Sequence, residues 1–280
     1  MDAAAIELAY NPRARTANFQ EYFDRNDARS REALGGLDGY LDVPYGPHAA
    51  QKMDIFRARG ESKAVLMFIH GGFWRALDKR PFSFLAPELT RAGVTFANIN
   101  YGLCPAVTLE EIVRQVLQAG AWLYRNASNF GGDPRRLYVA GHSAGGHLTA
   151  MLLAALWPVF APDLPRKVFQ GGLAVSGVFD LRPLAGAAFL KPEVNFDLAV
   201  ARRCSPIIMP PATDAKLWTC VGGDEPQGFL DQHALVAKEW KKVLAGEIPM
   251  PGDNHFSVIE RLADASSPLF RGALRMMGIG

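Results

Sequence analysis

The chain has 280 residues, 30 basic and 28 acidic, for a formal net charge of +2. That balance leaves no basic footprint for nucleic acid or for an anionic membrane surface. Apolar residues make up 49% of the chain, enough for a sizeable core, yet no apolar stretch approaches the ~18 residues of a membrane span.

Residues 1–36 are polar, Arg-rich and helix-compatible, and end at Gly35-Gly36. They lack a basic segment followed by an apolar one, so they read as an N-terminal helical extension and not as a signal peptide. "YLDVPYG" and "QKMDIFRA" alternate apolar and polar residues, as an antiparallel edge pair does. "AVLMFIHGG" (64–72) and "GVTFANINYG" are continuous apolar runs, which suit strands buried on both faces. "TLEEIVRQVLQAGAWLYRNASNFGG" has helical spacing, with a Thr108-x-x-Glu111 capping box in front and Gly131-Gly132 behind. "RLYVAGHS" is a further strand and runs straight into a helix from Ala144. "GGLAVSGVFDL" and "KLWTCVGG" are two more buried-type strands, separated by a Pro-rich stretch, 182–213, that suits short helices and a lid-like insertion. "FLDQHALVAKEWKKVL" and "HFSVIERLAD" are amphipathic helices. Strands alternating with helices imply an α/β fold over 37–280: a mostly parallel central sheet with helices on both faces. The default site of such a sheet lies at the carboxyl ends of its strands. Cys104, Cys204 and Cys220 are far apart and form no C-x-x-C or zinc-like spacing. They read as free thiols in a reducing, cytoplasmic setting.

Ser143 stands in "GHSAG", a Gly-x-Ser-x-Gly frame between a strand and a helix. A serine at so sharp a turn is exposed above the sheet, and the helix behind it offers backbone N–H groups and positive partial charge to a reacting carbonyl. "HGGFW" (70–74) ends an earlier strand and can bring further N–H groups close, because glycine presents no Cβ. The N–H groups of Gly72, Phe73 and Ala144 are the candidate oxyanion hole. Trp74 and Phe73 are candidate substrate walls, and His70 reads as a loop-shaping residue. A serine nucleophile also needs a base. His48 lies in an early loop, His142 and His147 are confined to the turn, and His233 falls within a helix. His255, in "PGDNHFSVIERL", sits in a late loop from which an imidazole can reach Ser143. The orienting acid is Glu225, with its neighbour Asp224 as the alternative and Asp180 as a third candidate, while Asp253 reads as a loop-shaping residue. The histidines show no short metal-ligand spacing, so no metal and no cofactor is expected.

With these residues in order, the chain resembles α/β-hydrolases of the kynurenine formamidase (arylformamidase) type and their bacterial esterase relatives. The carriers are "HGGFW" (70–74), "INYGLCPAVTLEEIVRQV" (99–116), "FGGDPRRLYVAGHSAGGHL" (130–148), "GDEPQGFLDQ" (223–232) and "NHFSVIERL" (254–262). The resemblance implies a metal-free serine hydrolase that cleaves an aryl formamide such as N-formylkynurenine, or a small carboxylic ester. It carries Ser143, His255 and Gly72 over to their roles. At the acid, a gap-free match selects Glu225, whereas the family's Asp-x-Pro pattern selects Asp224. Two other readings compete: a general carboxylesterase with no formamidase role, and a non-catalytic binding relative. Ser143 and His255, both present, weigh against the latter. The sequence leaves the oligomeric state open.

Overall fold

A computed structural model describes residues 2–280. Its strands are β1 (Gly39–Pro44), β2 (Lys52–Phe56), β3 (Ala64–Ile69), β4 (Val94–Ile99), β5 (Leu137–His142), β6 (Gly171–Val175), β7 (Lys216–Gly222) and β8 (Leu244–Met250). They form one sheet in the order β1-β2-β4-β3-β5-β6-β7-β8. β2 runs antiparallel to both of its neighbours, and every other pairing is parallel. Every residue of β3, β4 and β6 is buried, which is why these strands read as unbroken apolar runs. The two-residue period then sorts their side chains between two cores. Val65, Met67 and Ile69 join Ile112, Val116 and Leu148 on one face; Leu66 and Phe68 join Phe82, Leu89 and Leu262 on the other.

The helix Leu109–Asn126 is capped as its sequence predicts, Thr108 Oγ1 accepting from the Glu111 N–H at 3.2 Å. The reciprocal half of the box does not form, because the Glu111 carboxylate grips Arg114 with two bonds of 2.6 Å. The helix Ala144–Ala154 is buried from Ala144 through Leu153.

The helix expected over 229–244 runs Gln227–Glu239. It stops where Trp240 turns its indole N–H to the Met209 carbonyl at 3.2 Å, which frees the chain to start β8. "HFSVIERLAD" holds only two short turns, Ser257–Glu260 and Arg261–Ala263. Two helical stretches were not legible: Arg80–Leu85 continuing into Ala86–Arg91, and Pro268–Met276. Prolines mask both, yet each sits in a first turn, where its missing N–H has no bond to lose. Residues ahead of β1 fold as Ala3–Tyr10, Pro12–Arg15 and Phe19–Gly36. The 182–213 stretch holds short turns and the helix Leu198–Arg203. All three cysteines are free and buried. Among the described residues, no helix is long and apolar enough to cross a membrane.

Candidate active site

β5 ends at His142 and the next helix starts at Ala144, so Ser143 alone makes the turn. It does so at φ 56°, ψ −117°, a strained conformation that persists only where the surroundings fix it. They do: the Ser143 N–H donates to the Val175 carbonyl at 2.8 Å, and the helix crosses close over β3. A Cβ on Gly145 would lie 1.9 Å from the Ile69 carbonyl oxygen, so that crossing requires glycine. Ala144, as the first helical residue, has an N–H with no intrahelical acceptor.

The loop after β7 carries Glu225, which is 1% exposed. Its Oε2 faces His255 Nδ1 at 2.6 Å. Its Oε1 accepts from the Gly222 N–H at 2.8 Å and from the Ser176 hydroxyl. A carboxylate at Nδ1 favours the tautomer protonated there, which leaves Nε2 as the candidate base. Asp224 lies one residue away on the exposed side of the turn, where its carbonyl accepts from Arg15. Asp180 is held by Arg182 through bonds of 2.8 and 2.7 Å. Of the three candidate acids, the geometry brings only Glu225 to His255. Asp253 braces the same loop through Ser257 and Arg261.

The segment after β3 is unusual in its backbone. Gly72, Phe73 and Trp74 pass in succession through positive φ, at 106°, 48° and 58°. A Cβ on Gly72 would lie 2.0 Å from the Ala76 carbonyl oxygen. The Arg75 and Ala76 N–H groups both turn back to the Gly72 carbonyl. The N–H groups of Gly72 and Phe73 make no hydrogen bond among the described residues, and both residues line the same cavity as Ser143 and His255.

Trp74 departs from the wall expected of it. It is 0% exposed and lies beneath the loop, its indole N–H donating to His147 Nδ1 at 3.2 Å. His147 Nε2 donates in turn to the Cys204 carbonyl at 2.7 Å, and burial holds this imidazole down to about 4. The Trp74 ring packs against His147 and Phe196, so Phe73 lines the cavity and Trp74 does not. His70 is a buried loop residue, Nδ1 meeting the Gly71 carbonyl at 2.7 Å and the ring stacked on Tyr101 at 4.4 Å. His142 braces the His255 loop: its Nε2 donates to the His255 carbonyl at 2.9 Å. Burial, then the neighbouring His255, hold His142 well below the ordinary histidine range.

The cavity has a volume of about 340 Å³. Aromatic side chains dominate its wall: Phe73, Phe82, Phe189 and Phe256, with Tyr22 and Phe23 from the N-terminal helices. From the 182–213 stretch only Phe189 and Glu193 reach it. Sequence reasoning missed three contributors: Ser176, His142 as a brace, and the N-terminal wall. Ser176 had a signal, a polar residue closing an apolar strand beside the strand that carries the acid. Among the described residues, no group of three or more His, Cys, Asp or Glu side chains is arranged to hold a metal.

A sheet of this order, with a serine alone at the turn between β5 and a buried helix, is the architecture of an α/β-hydrolase, and the protein is a hydrolase of that class. The carboxylesterase family model matches residues 112–253, and the BD-FAE family model matches 53–157. The chain belongs to the carboxylesterase family. It is similar to the kynurenine formamidase of Salmo salar, 29% identical over 261 residues, with 89% of this chain and 85% of that one covered. A solved structure from Silicibacter sp. TM1040, provisionally assigned as a thioesterase, is 32% identical with a TM-score of 0.84, covering 94% of this chain and 96% of that one. The hyperthermophilic esterase of Pyrobaculum calidifontis shares the fold, with a TM-score of 0.71 at 15% identity and 94% of each chain covered.

Proposed function

We propose that the chain is a serine hydrolase cleaving small carboxylic esters or aryl formamides of the N-formylkynurenine kind through an acyl-enzyme. The observation that carries this reading is the Glu225–His255 pair, in which Nδ1 is engaged by the carboxylate and the imidazole lines the same cavity as Ser143. In this mechanism His255 takes the Ser143 proton as the hydroxyl oxygen attacks the acyl carbon. The tetrahedral oxyanion accepts from the N–H groups of Gly72, Phe73 and Ala144. Glu225 holds the resulting imidazolium, which protonates the departing amine or alcohol. Water, deprotonated by His255, then attacks the acyl carbon and frees Ser143 and the carboxylic acid.

An aryl leaving group suits the aromatic wall of Phe73, Phe82, Phe189 and Phe256. A formyl group needs almost no room on the acyl side. The kynurenine formamidase likeness supports that choice of substrate. Buried, unpaired cysteines favour a reducing, cytoplasmic setting.

The test compares wild type with Ser143→Ala on phenyl acetate, on N-formylkynurenine and on p-nitrophenyl esters of rising acyl length. A fluorophosphonate adduct is expected on Ser143 of the wild type, with hydrolysis abolished in the variant. Full activity in Ser143→Ala would sink the mechanism. A wild-type preference for the longer acyl chains would keep the mechanism and replace the formamidase reading with that of a general carboxylesterase.

A further inference from the structure

The cavity wall built by the N-terminal helices carries two polar groups that the proposed chemistry does not use. Tyr22, Phe23 and Asn26 share one face of the helix Phe19–Gly36, by their spacing, and all three line the cavity. Asn26 is 7% exposed, its Oδ1 is buried without a hydrogen-bond partner, and its side-chain amide makes no hydrogen bond among the described residues. A buried amide left unpaired is costly unless something that enters the site completes it.

Arg13 is the second group. Its guanidinium carbon lies 5.2 Å from the Phe19 ring centre and 5.8 Å from that of Phe23, so two aromatic faces hold it over the wall. Phe23 in turn packs 5.6 Å from Phe256, which packs 5.6 Å from the His255 imidazole. The cation therefore stands two aromatic rings away from the base. Among the described residues it has no carboxylate partner. The other cation on the wall, Arg75, is already matched by Glu193 at 2.8 Å. An aromatic cavity with one unmatched, pre-positioned guanidinium suits an anion attached to an aryl body.

We propose that Arg13 and Asn26 form a subsite for a carboxylate and an adjacent hydrogen-bonding group on the leaving-group side of the substrate. The subsite selects anionic aryl esters and formamides over neutral ones. It rests on the hydrolase reading above, because a leaving group must first be defined by attack from Ser143.

The test measures kcat/KM for phenyl acetate and for 3-(2-acetoxyphenyl)propanoate, the same ester with a carboxylate on the leaving group. Wild type is expected to favour the carboxylated ester by on the order of tenfold, a preference that shrinks as salt is raised. Arg13→Gln is expected to lower the ratio of the two constants at least fivefold, through KM, and Arg13→Lys to restore part of it. Asn26→Leu is expected to lower kcat/KM for N-formylkynurenine, whose amine beside the carboxylate can donate to Oδ1, more than for 3-(2-acetoxyphenyl)propanoate, which offers Oδ1 no donor. Equal effects on the two would remove Asn26 from the subsite. A wild type that hydrolyses both esters equally would overturn the subsite and leave the hydrolase standing. A fall of both substrates by one common factor in Arg13→Gln, the mark of a structural role, would overturn it too. Inactivity of the wild type on both esters and on N-formylkynurenine would instead strike the hydrolase reading beneath it.

Discussion

Replacing Glu225 by glutamine is the sharpest test of how the base is held, because the structure dictates which way the new amide turns. Oε1 of Glu225 accepts from the Gly222 N–H at 2.8 Å, a backbone donor that cannot reverse, and from Ser176. An NH₂ group placed there would meet that N–H donor to donor, so the amide oxygen keeps the position. The NH₂ is then left facing His255 Nδ1, 2.6 Å from where Oε2 stood. It donates to Nδ1 and forces the proton onto Nε2, the tautomer that cannot accept from Ser143. Rotation out of this arrangement exposes a buried unpaired donor. The orientation and tautomer lost here are worth on the order of 10³–10⁴ in kcat, about 4–5.5 kcal/mol at the barrier. The assay is steady-state hydrolysis of phenyl acetate by Glu225→Gln beside Asp224→Asn, with thermal unfolding to confirm that both fold. Asp224 is exposed and meets its neighbours through its backbone, so its variant is expected within about twofold of wild type. More than a tenth of wild-type activity in Glu225→Gln, or a hundredfold loss in Asp224→Asn, would refute the reasoning.

Ser176→Ala removes one of three hydrogen bonds to a buried carboxylate. It is expected to cost about 1.5–3 kcal/mol of stability by urea unfolding and about tenfold in kcat/KM; an unchanged kcat/KM would show that Gly222 and His255 hold the carboxylate without it. Part of the acid sensitivity, beside that from His142, His70 and His233, should trace to His147, which burial depresses to about 4 from an ordinary value of 6.5. The unfolded chain binds this proton below pH 6.5 and the folded chain does not until about pH 4. Its contribution is therefore complete above pH 6.5 and falls as pH drops through that window, by about 2 kcal/mol at pH 5. Urea midpoints at pH 7.5 and pH 5 should differ less in His147→Gln than in wild type, and equal differences would count against this assignment.

Ser143 and His255 were legible as the candidate nucleophile and base because local rules mark them, and the structure brings both to one cavity. A serine between glycines, entered by an apolar run and left by a helix, has one mechanical reading, and only His255 among the histidines lies in a late loop. The candidate acid was legible only as a preference, Glu225 ahead of Asp224, because the two are adjacent and either reaches as far on paper; the structure pairs Glu225 with His255. What separates them is a backbone N–H three residues back and a hydroxyl 49 residues away, and the second is visible only after β6 pairs with β7. Trp74 misled for a related reason: an aromatic beside two glycines reads as a cavity wall until its φ of 58° is known. The parallel sheet was plain from its apolar runs. The helices Arg80–Arg91 and Pro268–Met276 were hidden by prolines whose first-turn placement the pattern does not announce.

The docking of the N-terminal helices has a consequence for the order in which this protein is made. Arg25 grips Glu260 with two bonds of 2.9 Å, Asn254 donates to the Tyr22 hydroxyl at 3.0 Å, and Arg15 reaches the Asp224 carbonyl at 3.2 Å. Each contact joins residues more than 200 positions apart. On the ribosome, the segment that walls the cavity emerges before the sheet and waits through the synthesis of more than 200 further residues for the loops it must hold. Closure entropy is met only when the last strand and the His255 loop arrive. The central strands can pair earlier, so a refolding chain is expected to pass through a stage with its sheet formed and its pocket open. Recovery of activity is therefore expected to trail recovery of secondary structure, with the helices ahead of β1 the last elements to be seated.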